Sequence, residues 1–146
     1  MNRLCQGLLA VSVAGLCALP AAAAGQDAPR KLIAPVRGEA NVDITKPNTK
    51  VVGNEVVTII MLRNASTGAI AGLKVEENWY DKGGNPVGGD TYRHPRPLPP
   101  GEIITVTLKT PKKPTMNSNQ YQFTHANGAV KTKVVPKLEA PKTTSE

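Results

Sequence analysis

The chain has 146 residues, a formal net charge of +7 and only 3% aromatic residues. That length fits one ordinary domain with tails. Few aromatic side chains argue against a base-stacking platform, and scattered lysines favour a solvated surface, so we expect no nucleic-acid partner.

The first 24 residues are typical of a secretory signal peptide. Arg3 supplies a positive start, residues 8–19 are largely apolar, and Ala22 and Ala24 suit a signal peptidase. An uncleaved anchor is the alternative, but the apolar run is shorter than the about 20 residues of a membrane-spanning helix. We expect a helical signal peptide over residues 1–24 and no stable membrane span after its removal. The expected location is the periplasm, the cell surface or the medium.

Both cysteines, Cys5 and Cys17, lie inside this leader. Lipid attachment at Cys17 is an alternative that Leu16 disfavours, because a small residue is expected immediately before the modified cysteine. The mature chain would then have no disulfide and no thiol nucleophile. It would be held together by its core alone.

Residues 25–40 are rich in proline, alanine and charge, and they predict a flexible leader with a possible edge segment. Pro35 limits that segment to an edge, because proline has no backbone donor. Residues 41–45 alternate and predict the first strand. Residues 48–50 predict a turn after Pro47.

Residues 55–64 predict a second strand that is apolar on both faces. Val56, Thr58, Ile60 and Leu62 share one face, while the other carries Val57, Ile59 and Met61. Periodicity therefore does not choose the inward face. A central strand covered on both sides and a strand that keeps one face for a partner both fit.

The third predicted strand, residues 70–81, carries the only tryptophan. Leu73, Val75, Glu77 and Trp79 share its inward face. A carboxylate there is costly unless it is paired or wet, so the role of Glu77 stays open. A glycine-rich hairpin turn follows, then a shorter strand.

The second half of the chain predicts a proline-rich crossover and three more strands. Four prolines exclude a ladder over residues 93–101. Residues 102–109 predict a strand with Ile104, Val106 and Leu108 inward. Asn127-Gly128 predicts a two-residue hairpin turn that places Tyr121 opposite Val134, Phe123 opposite Thr132 and His125 opposite Val130.

About seven short strands without a helical period predict an all-β fold. We expect an antiparallel β-sandwich of immunoglobulin-like or fibronectin-like type over residues 41–138. The tail, residues 139–146, has nothing to bury and is expected to be disordered.

Three short motifs occur in a recognisable order. They are Arg63-Asn64-Ala65-Ser66, then Trp79-Tyr80-Asp81 with Gly83-Gly84-Asn85, then Leu98-Pro99-Pro100-Gly101-Glu102 before the next strand. Residues 57–110 thereby resemble the FxLYD type of bacterial immunoglobulin-like domain. Glu77 departs from that pattern, since it stands where the family has its first aromatic residue. The resemblance implies a sandwich fold, an accessory role in cell-envelope proteins and no catalytic residues to transfer.

The sequence predicts no enzyme, no cofactor and no metal site. His94 and His125 are the only histidines, and a metal site would need both to converge with a carboxylate. Glu76 and Glu77 are adjacent in a predicted strand and therefore point to opposite faces. No serine-hydrolase, zinc-protease or phosphate-loop motif is present.

Two surfaces carry functional hypotheses. Prolines hold the loop at Arg93, His94 and Arg96 extended, and these side chains could grip a carboxylate or sulfate. The second surface is a possible partner face, since the register inferred from the resemblance makes its residues point away from the core. The alternative is that the segment before residue 45 covers this face. The partner face comprises Val57, Ile59, Met61 and Ile103.

We therefore expect an exported, non-enzymatic module for protein contact or structural support in the cell envelope. The alternative is a basic binder of anionic polysaccharide or envelope polymer, because the net charge is positive. The partner is accordingly expected to be another envelope protein or such a polymer. The sequence does not indicate an oligomeric state.

Overall fold

The structure is a computed structural model that describes residues 32–139, and every regular element in that range is a β-strand. Among the described residues there is no helix, hence none that could cross a membrane. The all-β prediction is confirmed. The predicted signal peptide, residues 25–31 and the tail from residue 140 lie outside the described residues. The strands are β1 (Ala40–Thr45), β2 (Asn48–Val52), β3 (Glu55–Asn64), β4 (Lys74–Tyr80), β5 (Pro86–Arg93), β6 (Ile103–Pro111), β7 (Ser118–His125) and β8 (Gly128–Val135).

The eight strands form one sheet that curls into a half-barrel. β1 and β2 pair with one edge of β3, and β6 pairs with the other edge. From β1 the sheet continues in the order β8-β7-β4-β5. Two sections can be distinguished by their ladders. The first section contains β1, β2, β3, β6 and β8, and the second contains β4, β5 and β7.

The strand count exceeds the predicted seven because the chain does not turn at residues 48–50. β1 ends before Pro47, and the chain then continues as β2 along the same edge of β3 that β1 occupies. Ile44 lies opposite Leu62, and Asn48 lies opposite Ile59. The predicted turn at residues 48–50 was therefore wrong.

The prediction of a wholly antiparallel sheet was also wrong. β1 pairs with β8 in parallel, from Ala40 opposite Val130 to Thr45 opposite Val135. These strands lie at opposite ends of the described chain, so their pairing depends on the tertiary fold rather than on a local turn.

The core selects the face of β3 that the sequence left open. Val56, Ile60 and Leu62 are buried, and Thr58 is buried with them. On β6, Val106 and Leu108 are fully buried and Ile104 packs against them, which confirms the predicted inward face of that strand. The largest fully buried apolar side chains come from β3, from β6 and from the loops that precede β4 and β6: Ile60, Leu62, Ile70, Leu73, Leu98 and Leu108.

β4 has the predicted inward face but starts later than predicted. Leu73, Val75 and Glu77 are buried. The strand begins at Lys74, because Ile70 pairs separately with Leu98 of the proline-rich crossover in an isolated antiparallel bridge.

The last hairpin has a different register from the predicted one. Its turn contains Ala126 and Asn127, so that His125 lies opposite Gly128. A Cβ atom on Gly128 would lie 2.2 Å from the carbonyl oxygen of Gly38, and the amide of Gly38 donates to Asn127 at 3.0 Å. This close approach places the glycine in the first position of β8 rather than in the turn.

Candidate functional site

A buried carboxylate lies between the two sections of the sheet. Glu77 is 1% exposed. Its Oε1 accepts hydrogen bonds from Thr58 Oγ1 at 2.8 Å and from Asn119 Nδ2 at 3.0 Å. Its Oε2 accepts a longer one from Thr110 Oγ1 at 3.3 Å. The inward placement predicted for Glu77 is confirmed, and neutral donors satisfy it.

Further hydrogen bonds extend this contact into a network. The hydroxyls of Thr49 and Thr58 are 3.0 Å apart, and Asn119 Nδ2 donates to the hydroxyl of Tyr121 at 2.7 Å. The Glu77 network consists of Thr49, Thr58, Glu77, Thr110, Asn119 and Tyr121. It ties β2, β3 and β6 of one section to β4 and β7 of the other.

The chemistry of the Glu77 network is that of a structural tie. A general base must reach the proton that it abstracts, and Glu77 is almost completely excluded from solvent. Its recorded hydrogen-bond partners are hydroxyl and amide groups, without a histidine, a thiol or a second carboxylate. Polar networks of this kind fix the relative position of the elements that they join.

The predicted anion-contact loop is partly engaged within the protein. Both terminal nitrogens of Arg96 donate to the carboxylate of Glu102, one of them at 3.0 Å and the other more closely. This bidentate contact raises the pKa of Arg96 above its ordinary value. Its planar guanidinium is therefore already matched to a carboxylate, in the geometry that an external anion would need.

His94 is also unsuited to serve as a cation in this loop. Its Nδ1 lies 2.9 Å from the hydroxyl of Tyr92. Its Nε2 is buried and has no hydrogen-bond partner among the described residues. Burial, with a smaller contribution from the charge of Arg96, lowers the pKa of His94, so the neutral imidazole is favoured. Of the three predicted contacts, Arg93 is exposed and forms no ion pair within residues 32–139.

The four residues of the predicted partner face share the outward surface of β3 and β6. Ile59 is 41% exposed, whereas Val57, Met61 and Ile103 are half-buried. Ile103 lies opposite Arg63 of β3. Lys50 of β2 and Lys109 of β6 lie on either side of Val57. The result is an apolar column bordered by basic side chains, and its use by a partner stays a prediction.

The segment before residue 45 was the expected alternative cover for the partner face. Here the amide of Val36 donates to the carbonyl of Ala69 at 2.8 Å, and Ala69 donates to Ala34 at 3.0 Å. Ala69 lies beyond the end of β3, so these hydrogen bonds hold the segment at the loop that follows that strand. At the other end of the described chain, Leu138 is buried and Glu139 lines a groove beside Arg63.

Sequence reasoning did not assign a role to Asn64, the first residue after Arg63 in the motif. Asn64 is 1% exposed. Its Nδ2 donates to the carbonyls of Gly68 at 2.9 Å and Leu98 at 2.8 Å, and its Oδ1 accepts from the amide of Ser66 at 2.8 Å. The available signal was an asparagine at a strand end before small polar residues, which is typical of a side chain that caps a turn.

Four grooves on the described surface are lined without histidine or cysteine. The largest of those described has a volume of about 460 Å³ and lies between residues 34–41 and residues 65–68. Its charged lining residues are Arg37 and Glu39, both exposed. In the part of the chain that the structure describes, no three side chains of the metal-ligating types come together.

Comparisons with known proteins leave the chain without a family assignment. No family model matches it, and no curated protein does. A penta-heme cytochrome c552 from Thermochromatium tepidum aligns with 59% of this chain and 31% of its own, at 14% identity and a TM-score of 0.44. The chain thus spans about a third of that cytochrome's length. IrmA from Escherichia coli aligns with 68% of this chain and 95% of its own, at 12% identity and a TM-score of 0.44. Neither likeness carries an argument about function.

Proposed function

We propose that this chain is an exported, non-enzymatic immunoglobulin-like module, with its two sheet sections packed as a β-sandwich of FxLYD type. Its role is contact with another protein, or structural support, in the cell envelope. The observation that carries the proposal is the outward face of β3. Val57, Ile59 and Met61 make that face as apolar as the inward one, although Ile59 is 41% exposed. Exposed contiguous apolar surface is a property of interaction sites.

The absence of an assembled reactive centre among the described residues supports a non-enzymatic role. Glu77 is enclosed by hydroxyl and amide donors, and Arg96 is held by Glu102. Both side chains are thus engaged within the fold, whereas Arg93 stays exposed. The apolar column on β3 is a surface that these contacts leave available to a partner.

The proposal is tested by placing a photo-cross-linking side chain at Ile59 of the full chain in the envelope of the producing cell. The expected result is one discrete protein adduct. The matched control places the same side chain at Gln122, which is exposed on β7 of the other section. Equal adducts from both positions, or none from Ile59, would contradict the proposal.

A second variant separates a partner face from a core face. Ile59→Lys is expected to retain the unfolding midpoint of the parent within experimental error, because the side chain points outward. With the cross-linker moved to Met61, the same substitution should remove the adduct. Loss of folding in Ile59→Lys would show that this face is covered in the native protein.

The alternative of an anionic-polymer binder is less well supported. It needs Arg93, His94 and Arg96 together, but Arg96 is bound to Glu102 and the neutral form of His94 is favoured. Retention on an anionic polysaccharide matrix distinguishes the two functions. Strong retention that falls with salt and is lost in Arg93→Gln would favour the polymer binder.

A further inference from the structure

β7 and β8 separate immediately after the turn that joins them. Their pairing stops at Thr124 opposite Ala129. From there β7 continues beside β4, whereas β8 continues beside β1. Within the described chain, the edges of β7 and β8 that face each other are therefore unpaired over residues 118–123 and 130–135. Unpaired edges present backbone donors and acceptors that another strand can use.

The inward side of β8 is uncovered at this gap. Val134 lies in register with Ile44, yet Val134 is 63% exposed and Ile44 is 5% exposed. Thr132, two residues earlier on the same face, is exposed as well. Across the gap, Tyr121 and Phe123 of β7 are only half-buried. A further strand in the gap would cover these side chains, because neighbours on one face of a sheet lie side by side.

The outward side of β8 is basic. Lys131 and Lys133 are exposed, and neither forms an ion pair with any residue of the described range. Asp43 lies opposite Lys133, but its carboxylate is bound to Arg63. The outward side chains of an added strand would lie beside the two lysines. Asp or Glu is favoured there, since opposite charges on neighbouring strands attract.

We propose that the unpaired edge of β8 receives an extended segment of another protein, in which apolar residues alternate with Asp or Glu. The segment bonds to the β8 backbone, its apolar side chains cover Val134 and Thr132, and its carboxylates lie beside Lys131 and Lys133. This inference rests on the proposed role in protein contact. It uses a different surface from the apolar column on β3 and specifies the chemistry of the partner.

The charge pattern excludes the nearest alternative occupants. Antiparallel pairing of β8 with a second copy would set lysine against lysine, which is destabilising. β2 of a second copy is exposed and could also lie beside β8, but it carries Lys50 and no acidic residue. Residues 1–31 contain a single acidic residue, Asp27, and residues 140–146 contain Pro141 and a single acidic residue, Glu146. An alternating acidic segment must therefore come from another protein.

The test uses a capped synthetic peptide of about nine residues in which Val and Glu alternate, titrated against the full chain. Two controls are a peptide of the same composition with Val and Glu in separate blocks, and an alternating peptide of Val and Lys. The expected result is saturable binding of the alternating Val–Glu peptide, with the controls at least about tenfold weaker. Amide exchange of Val130, Thr132 and Val134 should slow on binding.

A charge-reversal variant locates the site. Lys131→Glu with Lys133→Glu should lose the Val–Glu peptide and bind the Val–Lys peptide instead. The matched control, Lys50→Glu with Lys109→Glu, changes the net charge equally at exposed positions of β2 and β6 and should leave peptide binding unchanged. If peptide preference changes in the Lys131→Glu, Lys133→Glu variant and not in the control variant, the edge of β8 is the binding site.

Three results would overturn the inference. These are equal binding of the block peptide, loss of binding in the control variant, and no binding of the alternating peptide at about 1 mM, the weak end of the affinity scale. The cross-linking result at Ile59 does not depend on Lys131 or Lys133. Failure of the β8 contact is therefore distinguishable from failure of the proposed function.

Discussion

The hydroxyl of Thr58 on β3 donates a 2.8 Å hydrogen bond to the carboxylate of Glu77 on β4, and both residues are almost completely buried. This contact joins the two sections of the curled sheet through their interior. Backbone pairing between the sections is confined to the short ladder between β7 and β8, and Lys109 of β6 donates its amide to the carboxylate of Asp90 on β5 at 2.8 Å. The Glu77 network therefore helps to fix the relative position of two sections that have little strand pairing between them.

Glu77→Gln is expected to cost no more than about 1 kcal/mol of unfolding free energy. The remaining amide oxygen can accept from Thr58 and Asn119, and the hydroxyl of Thr110 can rotate to accept from the new amide. Glu77→Leu leaves those donors without their acceptor and should cost about 3 kcal/mol. Urea denaturation of both variants measures the difference.

The control for these variants is Glu76→Gln, on the opposite face of β4. Glu76 forms an ion pair with Lys74 at 2.8 Å, and both side chains are partly exposed. Its loss should change the unfolding free energy by no more than about 0.5 kcal/mol. A Glu77→Leu variant as stable as Glu76→Gln would show that the network is dispensable.

Asn64→Asp is expected to be strongly destabilising. A carboxylate oxygen would replace the Nδ2 donor that faces the carbonyls of Gly68 and Leu98, so two buried acceptors would lose their donor and face a negative charge. We expect a loss of about 3 kcal/mol in the free energy of unfolding, measured by urea denaturation. Asn41→Asp, at the exposed position of β1, is the control and should stay within about 0.5 kcal/mol.

Local patterns were sufficient for several parts of the fold. The bounds of β3 were predicted as residues 55–64, because its run of apolar residues is flanked by turn residues. The inward faces of β4 and β6 followed from the two-residue period of a strand, although Glu77 is polar on the inward face and Ile103 is apolar on the outward one. A one-residue shift would have exposed every one of those side chains.

Other parts depend on contacts between residues that are distant in the sequence. The register of the last hairpin differs from the predicted one where Gly128 packs against Gly38, a residue far away in the sequence. Beyond Ala129, β8 is paired with β1 and no longer with β7. The hydrogen-bond donors to Glu77 come from β3, β6 and β7. The sequence pattern therefore indicated that burial of this carboxylate is costly, but it did not identify the donors. In the anion-contact loop, the spacing of residues in the sequence did not predict that Arg96 donates to the carboxylate of Glu102.

Gly89→Ala tests the close packing of β5 against β4. A Cβ atom at this position would lie 2.3 Å from the carbonyl oxygen of Glu77, closer than any van der Waals contact. The backbone must shift, and we expect a loss of about 2 kcal/mol in unfolding free energy. Thr91→Ala, exposed on the same strand, is the control. Equal unfolding midpoints for the two variants would contradict the packing argument.

His94 should make stability depend on pH. Burial and Arg96 lower its pKa in the folded protein below 6.5, the ordinary value that holds in the unfolded chain. The folded state therefore favours the neutral ring, so this contribution to stability is complete above pH 6.5 and is lost as pH falls through the folded pKa. The thermal midpoint of the parent should therefore decrease when the pH is lowered from 7.5 to 5.5. This range lies above the ordinary carboxylate pKa values of about 4.

Two variants identify His94 as the source of that fall. His94→Asn removes the titrating ring but keeps an acceptor for the hydroxyl of Tyr92, so its midpoint should change less over the same pH range. Arg96→Gln removes a charge that lowers the pKa of His94 and leaves Glu102, which raises it, so the pH dependence should again become shallower. The same pH dependence in His94→Asn as in the parent would assign the effect to other groups.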